Sequence, residues 1–489
     1  MFNGFDDTIC APATSVGTGA ISVIRVSGKD CLVIADGVVV CRKGRLSDAP
    51  GYSMKYGTVY KVSGAEDSDF LGTGANKEIL DDVVVAVFRA PHSYTGEDSV
   101  EISCHASSYI VTELLGLLVA AGARMAGPGE FTRRAYVNGK MDLAQAEAVA
   151  DVIGASSEAA HRVAVNQLRG GYSSELKSLR DKLLEAAAMM ELELDFSEED
   201  VEFADRKELR ALLESLRIQV SRLAASFRAG NALKNGVPVA IVGAANAGKS
   251  TLMNALLGED RAIVSPVAGT TRDTIEEVLT LEGIQFRFID TAGLRDTTDE
   301  IERMGISRSY DALQRADVVI AVLDGTLSPS AVSDNAKEIK SQCSEGQTLI
   351  FVCNKSDLAK NPIAGASYGE CRPSSADGFD GILSGNGRIL RVSAKTGEGL
   401  DTLRTAIVES QLGRFNSGET LVTNLRHYEA LSLSLDSIER CIAGLDSGLS
   451  TELLAEDVRE SIRNLGEITG EINTDEVLGE IFRKFCIGK

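Results

Sequence analysis

Two hydrophobic periods take turns along this 489-residue chain. Up to about residue 138, short runs are apolar at alternate positions or in unbroken blocks, with turn-forming residues between them. They are AISVIRVSG, YGTVYKV, DDVVVAVF and SVEISCH, followed by the helical SYIVTELLGLLVAAG. That order predicts an α+β domain over 1–138. From Gly139 apolar or small residues recur every three to four positions through about residue 233, the mark of helices. The small residues near 144–165 would allow close helix packing, although most of those positions read better as an ordinary core helix. Over 234–410, strand-length apolar runs such as VPVAIV (Val237–Val242), VVIAVL (Val318–Leu323) and TLIFVC alternate with helical stretches. This predicts a mostly parallel sheet. The helical period returns over 411–489, in HYEALSLSLDSIERCIAGL, TELLAEDVRESIRNLGEITG and DEVLGEIFRKFCIGK. The simplest architecture joins 139–233 and 411–489 into one discontinuous helical domain, with the α/β module inserted. Close termini make such an insertion cheap. The expected fold class is therefore multidomain, α+β and α/β.

The α/β module carries the chemistry. Between the strand Val237–Val242 and a helix-forming TLMNALLG lies GAANAGKS (Gly243–Ser250), which matches G-x-x-x-x-G-K-[ST] in the required strand–loop–helix setting. Glycines let the backbone wrap a phosphate, so that loop N–H groups and the helix N-terminus face negative charge. Lys249 is placed for the β/γ-phosphates and Ser250 for Mg²⁺. DTAG (Asp290–Gly293) ends the strand-like IQFRFI, where a carboxylate can hold the metal's water shell and a glycine N–H can meet the γ-phosphate. Thr271, in GTTRD (Gly269–Asp273), offers a hydroxyl to close the Mg²⁺ shell. NKSD (Asn354–Asp357) selects the base, because Asp357 can accept from both N1–H and the 2-amino group of guanine, a donor pair adenine lacks. SAK (Ser393–Lys395) can bring a backbone N–H to the guanine carbonyl. One NKxD alone also makes ordinary surface turns; four elements in this order at strand ends specify a GTPase. The expected GTP-binding set is Asn246, Ala247, Gly248, Lys249, Ser250, Thr251, Ser265, Thr270, Thr271, Asp290, Thr291, Ala292, Gly293, Asn354, Lys355, Asp357, Ser393, Ala394 and Lys395. Between NKSD and SAK lie 35 residues rich in Gly, Ser, Asp and Pro, which read as a solvated surface loop or insertion.

Charge narrows the partners. With 71 Asp and Glu against 50 Lys and Arg, the net charge of −21 argues against a large basic surface gripping nucleic acid unaided. A nucleic acid partner is expected on a local patch or through a second protein. Nine scattered cysteines with no C-x-x-C pair suggest neither a disulfide framework nor a zinc site, and fit a reducing cytoplasm. The start MFNGFDDTIC has no signal-peptide or transit-peptide character, and no apolar run is long enough to span a bilayer.

Five stretches then point to one family. PGEFTRRAYVNGKMDLAQAEAVADVI (Pro128–Ile153), GTTRD, DTAGLR (Asp290–Arg295), GEITGE (Gly466–Glu471) and the terminal FCIGK (Phe485–Lys489) closely resemble the MnmE (TrmE) tRNA modification GTPases. The resemblance covers almost the whole length. It implies a folate-binding N-terminal domain, a discontinuous helical domain and an inserted G domain. It also implies a homodimer and a flavoprotein partner, MnmG (GidA), with which a carboxymethylaminomethyl-type group is placed at C5 of the wobble uridine of certain tRNAs. The tRNA would be held largely through that partner. Ala245 stands where the family has proline, and ATSVGTGAISVIR and CHAS (Cys104–Ser107) depart from more glycine-rich versions.

Residue roles follow from the same resemblance. Small GTPases place a water-orienting glutamine directly after the DxxG turn; here that residue is Leu294, which can neither donate nor accept. The family's catalytic glutamate falls on Glu302, although DEIER also reads as a charged, solvated helix start with Glu300 equally acidic. In place of an arginine finger the resemblance implies K⁺, held by the Asn246 side chain and backbone oxygens of Ser265, Val267 and Thr270; Asn246 alone would read as a turn former. For the folate, 5-formyl- or methylene-tetrahydrofolate, it implies Arg25, Glu101, Lys140 and Lys489, each of which alone would be a surface charge. Cys486 is not a prenylation site, because C-I-G-K has glycine at an aliphatic position and ends in lysine. A buried small hydrophobe and a functional thiol both remain open for it. Two other classes compete. A ribosome-assembly GTPase should add a basic RNA-binding appendage, and a stand-alone folate-dependent transferase leaves the GTPase motifs without a role.

Overall fold

The computed structural model describes residues 6–15, 17, 19–63, 76–195, 206–258, 277–289, 312–344, 346–358, 370–371, 388–412, 420–472, 475–483, 485 and 488. The chain divides into two compact units. One comprises Met1–Ala150, Gln167–Leu184 and Ile462–Lys489, the other Asp151–Asn166 and Glu185–Ser461.

The first unit is built on a seven-stranded sheet. Its strands are β1 (Ile9–Pro12), β2 (Ile21–Ser27), β3 (Val39–Cys41), β4 (Ser53–Ser63), β5 (Asn76–Phe88), β6 (Ser99–His105) and β7 (Arg124–Met125), in the order β3-β4-β5-β6-β2-β1-β7. All neighbours are antiparallel except β1 and β7. Period-2 alternation sends Ile24, Val26, Val100 and Ile102 to one face, where they form a core with the helices Cys31–Val38 and Ser108–Ala120. Arg25 and Glu101, one residue out of phase, project from the other face. There Ile9 and Ala11 pack with Ala126, Phe131 and Tyr94. Residues 462–489 contribute to this unit the helix Asp475–Arg483, whose Leu478 and Phe482 are buried with Phe485 against Leu143, Ala146 and Tyr136. Gly129 is in the left-handed region at φ +66°, and any side chain there would collide with the Phe482 carbonyl.

One arginine ties this unit's start to its middle. Arg134 is fully buried and donates to the Asp7 carbonyl (2.8 Å), the Asp7 carboxylate (2.6 Å), Glu97 (3.2 Å) and Glu130 (3.3 Å). Burial alone would raise Asp7 and Glu130. Hydrogen bonds from Arg124, with the charge of Arg134, outweigh it and hold both below the ordinary carboxylate range. Depressed acids stabilise the fold fully above their unfolded pKa, about 4, and lose that contribution as pH falls through the lower folded value. Arg134→Ala strands three acids and is expected to cost about 3 kcal/mol. Denaturant unfolding of the variant and the native protein at pH 7 checks this, and the difference should shrink in acid.

The second unit holds the other seven-stranded sheet: β8 (Val237–Val242), β9 (Glu277–Leu281), β10 (Ile284–Phe288), β11 (Val318–Asp324), β12 (Thr348–Asn354), β13 (Glu370–Cys371) and β14 (Arg388–Arg391). The order is β13-β14-β12-β11-β8-β10-β9, with the five central strands parallel and both edge strands antiparallel. Near-continuous apolar composition suits strands covered on both faces, and every residue from Val318 to Leu323 is buried. Glu282 and Gly283, at φ +47° and +75°, make the two-residue turn of the β9–β10 hairpin. Two residues of the Gly- and Ser-rich stretch, Glu370 and Cys371, pair with Leu390 and Ile389 as an edge strand rather than forming loop. The remaining described part of that stretch is Leu358 and 388–392.

The segments flanking the α/β module meet. Ser226 Oγ accepts from Val422 N at 3.1 Å, the Phe227 and Tyr428 rings stack at 4.8 Å, and Gly230 lies against the Val422 carbonyl with no room for a side chain. Beyond this clamp the helices Arg206–Ala225 and Leu425–Asp446 pair, with buried leucines at 209, 213, 216 and 223 on the first. Arg210 binds Asp446 bidentately at 2.9 and 3.0 Å.

Candidate functional site

The phosphate loop sits where the central sheet demands close backbone approach. β8 ends at Val242, and Gly243, at φ +154°, faces the Val322 carbonyl of β11 too closely for any Cβ. Gly248, at φ +93°, begins the helix Lys249–Leu257, and a Cβ there would strike Asn354 Nδ2. Both glycines are thus required by space as well as by φ. Asn246 is also left-handed, at φ +59°, with an exposed side chain, while Ala247 is buried. Lys249 Nζ donates to the Gly243 and Ala244 carbonyls, each at 2.9 Å, so the ammonium is held across the loop's own backbone. Burial pushes it below the usual lysine range. Ser250 and Thr251 follow in the helix's first turn.

Three loop segments converge on this turn through Asn354. Its side chain is buried; Nδ2 donates to the Ala247 carbonyl at 2.9 Å and Oδ1 accepts from Ala394 N at 3.0 Å. One amide therefore joins the phosphate loop, NKSD and SAK. The Ala394 N–H, a candidate donor to the guanine carbonyl, is committed to this tie. Ser393 Oγ, fully buried, donates to Asp357 Oδ1 at 2.8 Å and accepts from Thr396 N at 3.2 Å, fixing the orientation of the Asp357 carboxylate. Lys355, at φ +60°, ion-pairs with Asp324 at 2.7 Å, and Lys395 follows Ala394 in the same loop. The strand ends thus bring together Asn246–Thr251, Asn354, Lys355, Asp357 and Ser393–Lys395. The candidates Ser265, Val267, Thr270, Thr271, Asp290, Thr291, Ala292, Gly293 and Glu302 lie outside the described residues, as does Leu294.

The first unit holds a second polar site. Arg25 and Glu101 are paired across β2 and β6, and Arg25 Nε and a terminal nitrogen both donate to Glu101 Oε1, at 3.0 and 2.8 Å. The guanidinium lies 5.0 Å from the Tyr94 ring centroid and 5.7 Å from that of Phe131, in cation–π range. Tyr94 Oη and Thr132 Oγ1 share a 2.8 Å hydrogen bond. The loop that carries Tyr94 also reaches Lys140, which donates from Nζ to the Pro91 carbonyl at 2.9 Å and packs along Gly96. One loop therefore touches both Arg25 and Lys140. Gly488, at φ +100°, abuts the Pro12 carbonyl at the end of β1, one residue beyond Ala11, the register partner of Arg25. Cys486, Ile487 and Lys489 lie outside the described residues.

Sequence reasoning missed Tyr94, Arg134 and Asp324. Tyr94 sits inside PHSYTGED, which reads as a turn, and the partners of Arg134 and Asp324 are distant in sequence, so no local pattern marks them. Burial lifts the thiols of Cys10 and Cys104 to about 11 and that of Cys441 to about 12, so these stay protonated near neutral pH. Among the described residues, no helix is long and apolar enough to cross a membrane.

Comparison with known proteins places the whole chain in one family. A family model described as the GTP-binding protein TrmE N-terminus matches residues 8–140, and one described as the MnmE helical domain matches residues 143–486. A protein of Bacteroides thetaiotaomicron named tRNA modification GTPase MnmE is 47% identical over 486 residues, covering 99% of each chain. Its namesake in Bacteroides fragilis is 47% identical over 490 residues, again covering 99% of each. The relative of that name in Flavobacterium johnsoniae is 44% identical over 488 residues with the same coverage. Matched by both models and at this identity along nearly its whole length, the chain belongs to the MnmE (TrmE) family of tRNA modification GTPases.

Proposed function

We propose that this protein is a K⁺-dependent GTPase that works with a flavoprotein partner, MnmG (GidA), and a folate one-carbon donor. Together they place a carboxymethylaminomethyl-type group at C5 of the wobble uridine of certain tRNAs. The observation that carries the GTPase reading is Asn354, which binds the phosphate loop and the SAK loop into one guanine-nucleotide cradle. The tRNA reading is supported by the printed name of relatives 47% identical over the full length.

In this reading Lys249 and the loop amides bind the β/γ-phosphates, and Asp357, oriented by Ser393, reads guanine. Ser250 and Thr271 would hold Mg²⁺, with Asp290 on its water shell; the metal supplies charge neutralisation on the phosphates. The left-handed, exposed Asn246 fits a ligand role beside backbone oxygens of Ser265, Val267 and Thr270, where K⁺ supplies the charge an arginine finger supplies elsewhere. Glu302 orients the attacking water, a task Leu294 cannot perform. The adjacent cation and carboxylate of Arg25 and Glu101 fit a glutamyl tail and the N–H edge of a pterin. With Lys140 and Lys489 they would hold 5-formyl- or methylene-tetrahydrofolate. The active form is a homodimer, the tRNA is held largely through the flavoprotein, and the setting is the cytoplasm. The three domains of this reading are 1–138 for folate, 139–233 with 411–489 for the discontinuous helical domain, and 234–410 for GTP.

Mass spectrometry of tRNA nucleosides from a strain lacking the protein should show loss of the wobble-uridine modification; an unchanged nucleoside profile refutes the reading. The tail gives a second test. Phe482 and Phe485 are packed, and Gly488 rests on Pro12, so deleting Ile487–Lys489 leaves the packed aromatics in place and removes the Pro12 contact with the end of the tail. The truncated protein loses the Gly488–Pro12 contact together with Lys489, and it is expected to bind 5-formyltetrahydrofolate at least about tenfold more weakly, with GTP affinity nearly unchanged. Calorimetric titration of both forms decides it, and equal folate affinity removes the tail from the site.

A further inference from the structure

Asp324 ends β11 level with Asn354 of β12, one strand over from the phosphate loop. Its two oxygens do different jobs. Oδ1 accepts from the Thr326 N–H at 2.9 Å and from Thr326 Oγ1 at 2.6 Å, closing the turn after the strand. Oδ2 accepts from Lys355 Nζ at 2.7 Å. Neither side chain is freely solvated, at 17% and 30% exposed. Burial alone would raise this acid, but Lys355 and Thr326 outweigh it and hold it below the ordinary carboxylate range, so it is charged at neutral pH. Lys355 in turn has a left-handed backbone at φ +60°, uncommon for a non-glycine residue. It stands between Asn354, which ties the phosphate loop, and Asp357, which accepts from Ser393 and is the proposed guanine reader.

We propose that Asp324 is a positioning residue of the nucleotide site: by holding the Lys355 ammonium, it lays the lysine's four-carbon stem as a pre-ordered apolar platform for the purine ring. This rests on the guanine-nucleotide reading of the site. A lysine left free samples many rotamers and must be ordered each time a nucleotide binds; one already paired keeps its charge satisfied and presents only methylenes. The platform recognises the face of a purine and Asp357 its edge. Asp324 therefore affects affinity for GDP and GTP alike and leaves the preference for guanine to Asp357.

The test is a double-mutant cycle on the full-length protein with a fluorescent GDP analogue. Asp324→Asn keeps the Oδ1 acceptor for Thr326 but removes the charge. Lys355→Met keeps the apolar stem but removes the ammonium. In the native background Asp324→Asn should weaken binding about tenfold. In the Lys355→Met background it should change binding less than about twofold, because the partner is gone. Equal weakening in both backgrounds would show that Asp324 acts only through its turn, and no weakening in the native background would show that the pair is idle; either overturns the proposal. A native protein that fails to prefer the GDP analogue over the ADP analogue sinks the nucleotide reading itself. Selective binding with a flat cycle removes only the role of Asp324.

Discussion

Glu302→Ala is expected to bind GTP with native affinity and to lose turnover by about 10²–10⁴-fold, the size of a lost general base or water-positioning group. The reason lies in what the neighbouring position lacks. Leu294 directly follows DTAG, and an aliphatic side chain can neither donate to nor accept from water. On the proposed mechanism, hydrolysis depends on a carboxylate reaching the attacking water from elsewhere and on a monovalent cation offsetting charge on the phosphates. Exchanging K⁺ for Na⁺ should therefore also slow turnover, since the smaller ion fits a K⁺-sized ring of oxygens poorly. A steady-state phosphate-release assay in the two salts measures both effects. Equal rates in K⁺ and Na⁺, or an active Glu302→Ala protein, contradict the mechanism.

Asp357→Asn should weaken GTP by about 10²–10⁴-fold, because two hydrogen bonds to a charged acceptor, worth about 1.5–3 kcal/mol each, are replaced by a mismatched amide. The same change should improve xanthosine triphosphate, whose carbonyl replaces the guanine 2-amino group and can accept from the new side chain. The surrounding geometry makes this a clean substitution. Ser393 Oγ already donates to Asp357 Oδ1, and an asparagine Oδ1 can accept that bond without disturbing the buried serine. Competition against a fluorescent GTP analogue separates the outcomes. Unchanged GTP affinity would remove Asp357 from base recognition.

What could be read from the sequence depended on range. Val237–Val242, Val318–Leu323 and the strand ending at Asn354 are near-continuous apolar blocks beside turn residues, and each is a strand. The phosphate loop was legible because its glycines are required locally, by φ and by the approach of Val322 and Asn354. Shorter elements were not. The helix Cys31–Val38, reading CLVIADGV, is mostly apolar with no cap hydrogen bond at its start, and the two-residue strands β7 and β13 exist only because a neighbour pairs with them. The polar ties that shape the sites were also invisible. Arg134 reaches Asp7 across 127 positions, and Lys355 reaches Asp324 across 31. Periodicity reports which face a residue occupies; it carries no information about which distant partner meets it there.

The most direct test of the account is complementation read at the tRNA. A strain lacking the protein would receive the native chain or Glu302→Ala at equal expression, and the wobble uridine would be quantified by nucleoside mass spectrometry. The account predicts that the native chain restores the C5 modification and that Glu302→Ala, though folded and GTP-bound, does not. Full restoration by Glu302→Ala would contradict it, because GTP hydrolysis would then be dispensable to the modification.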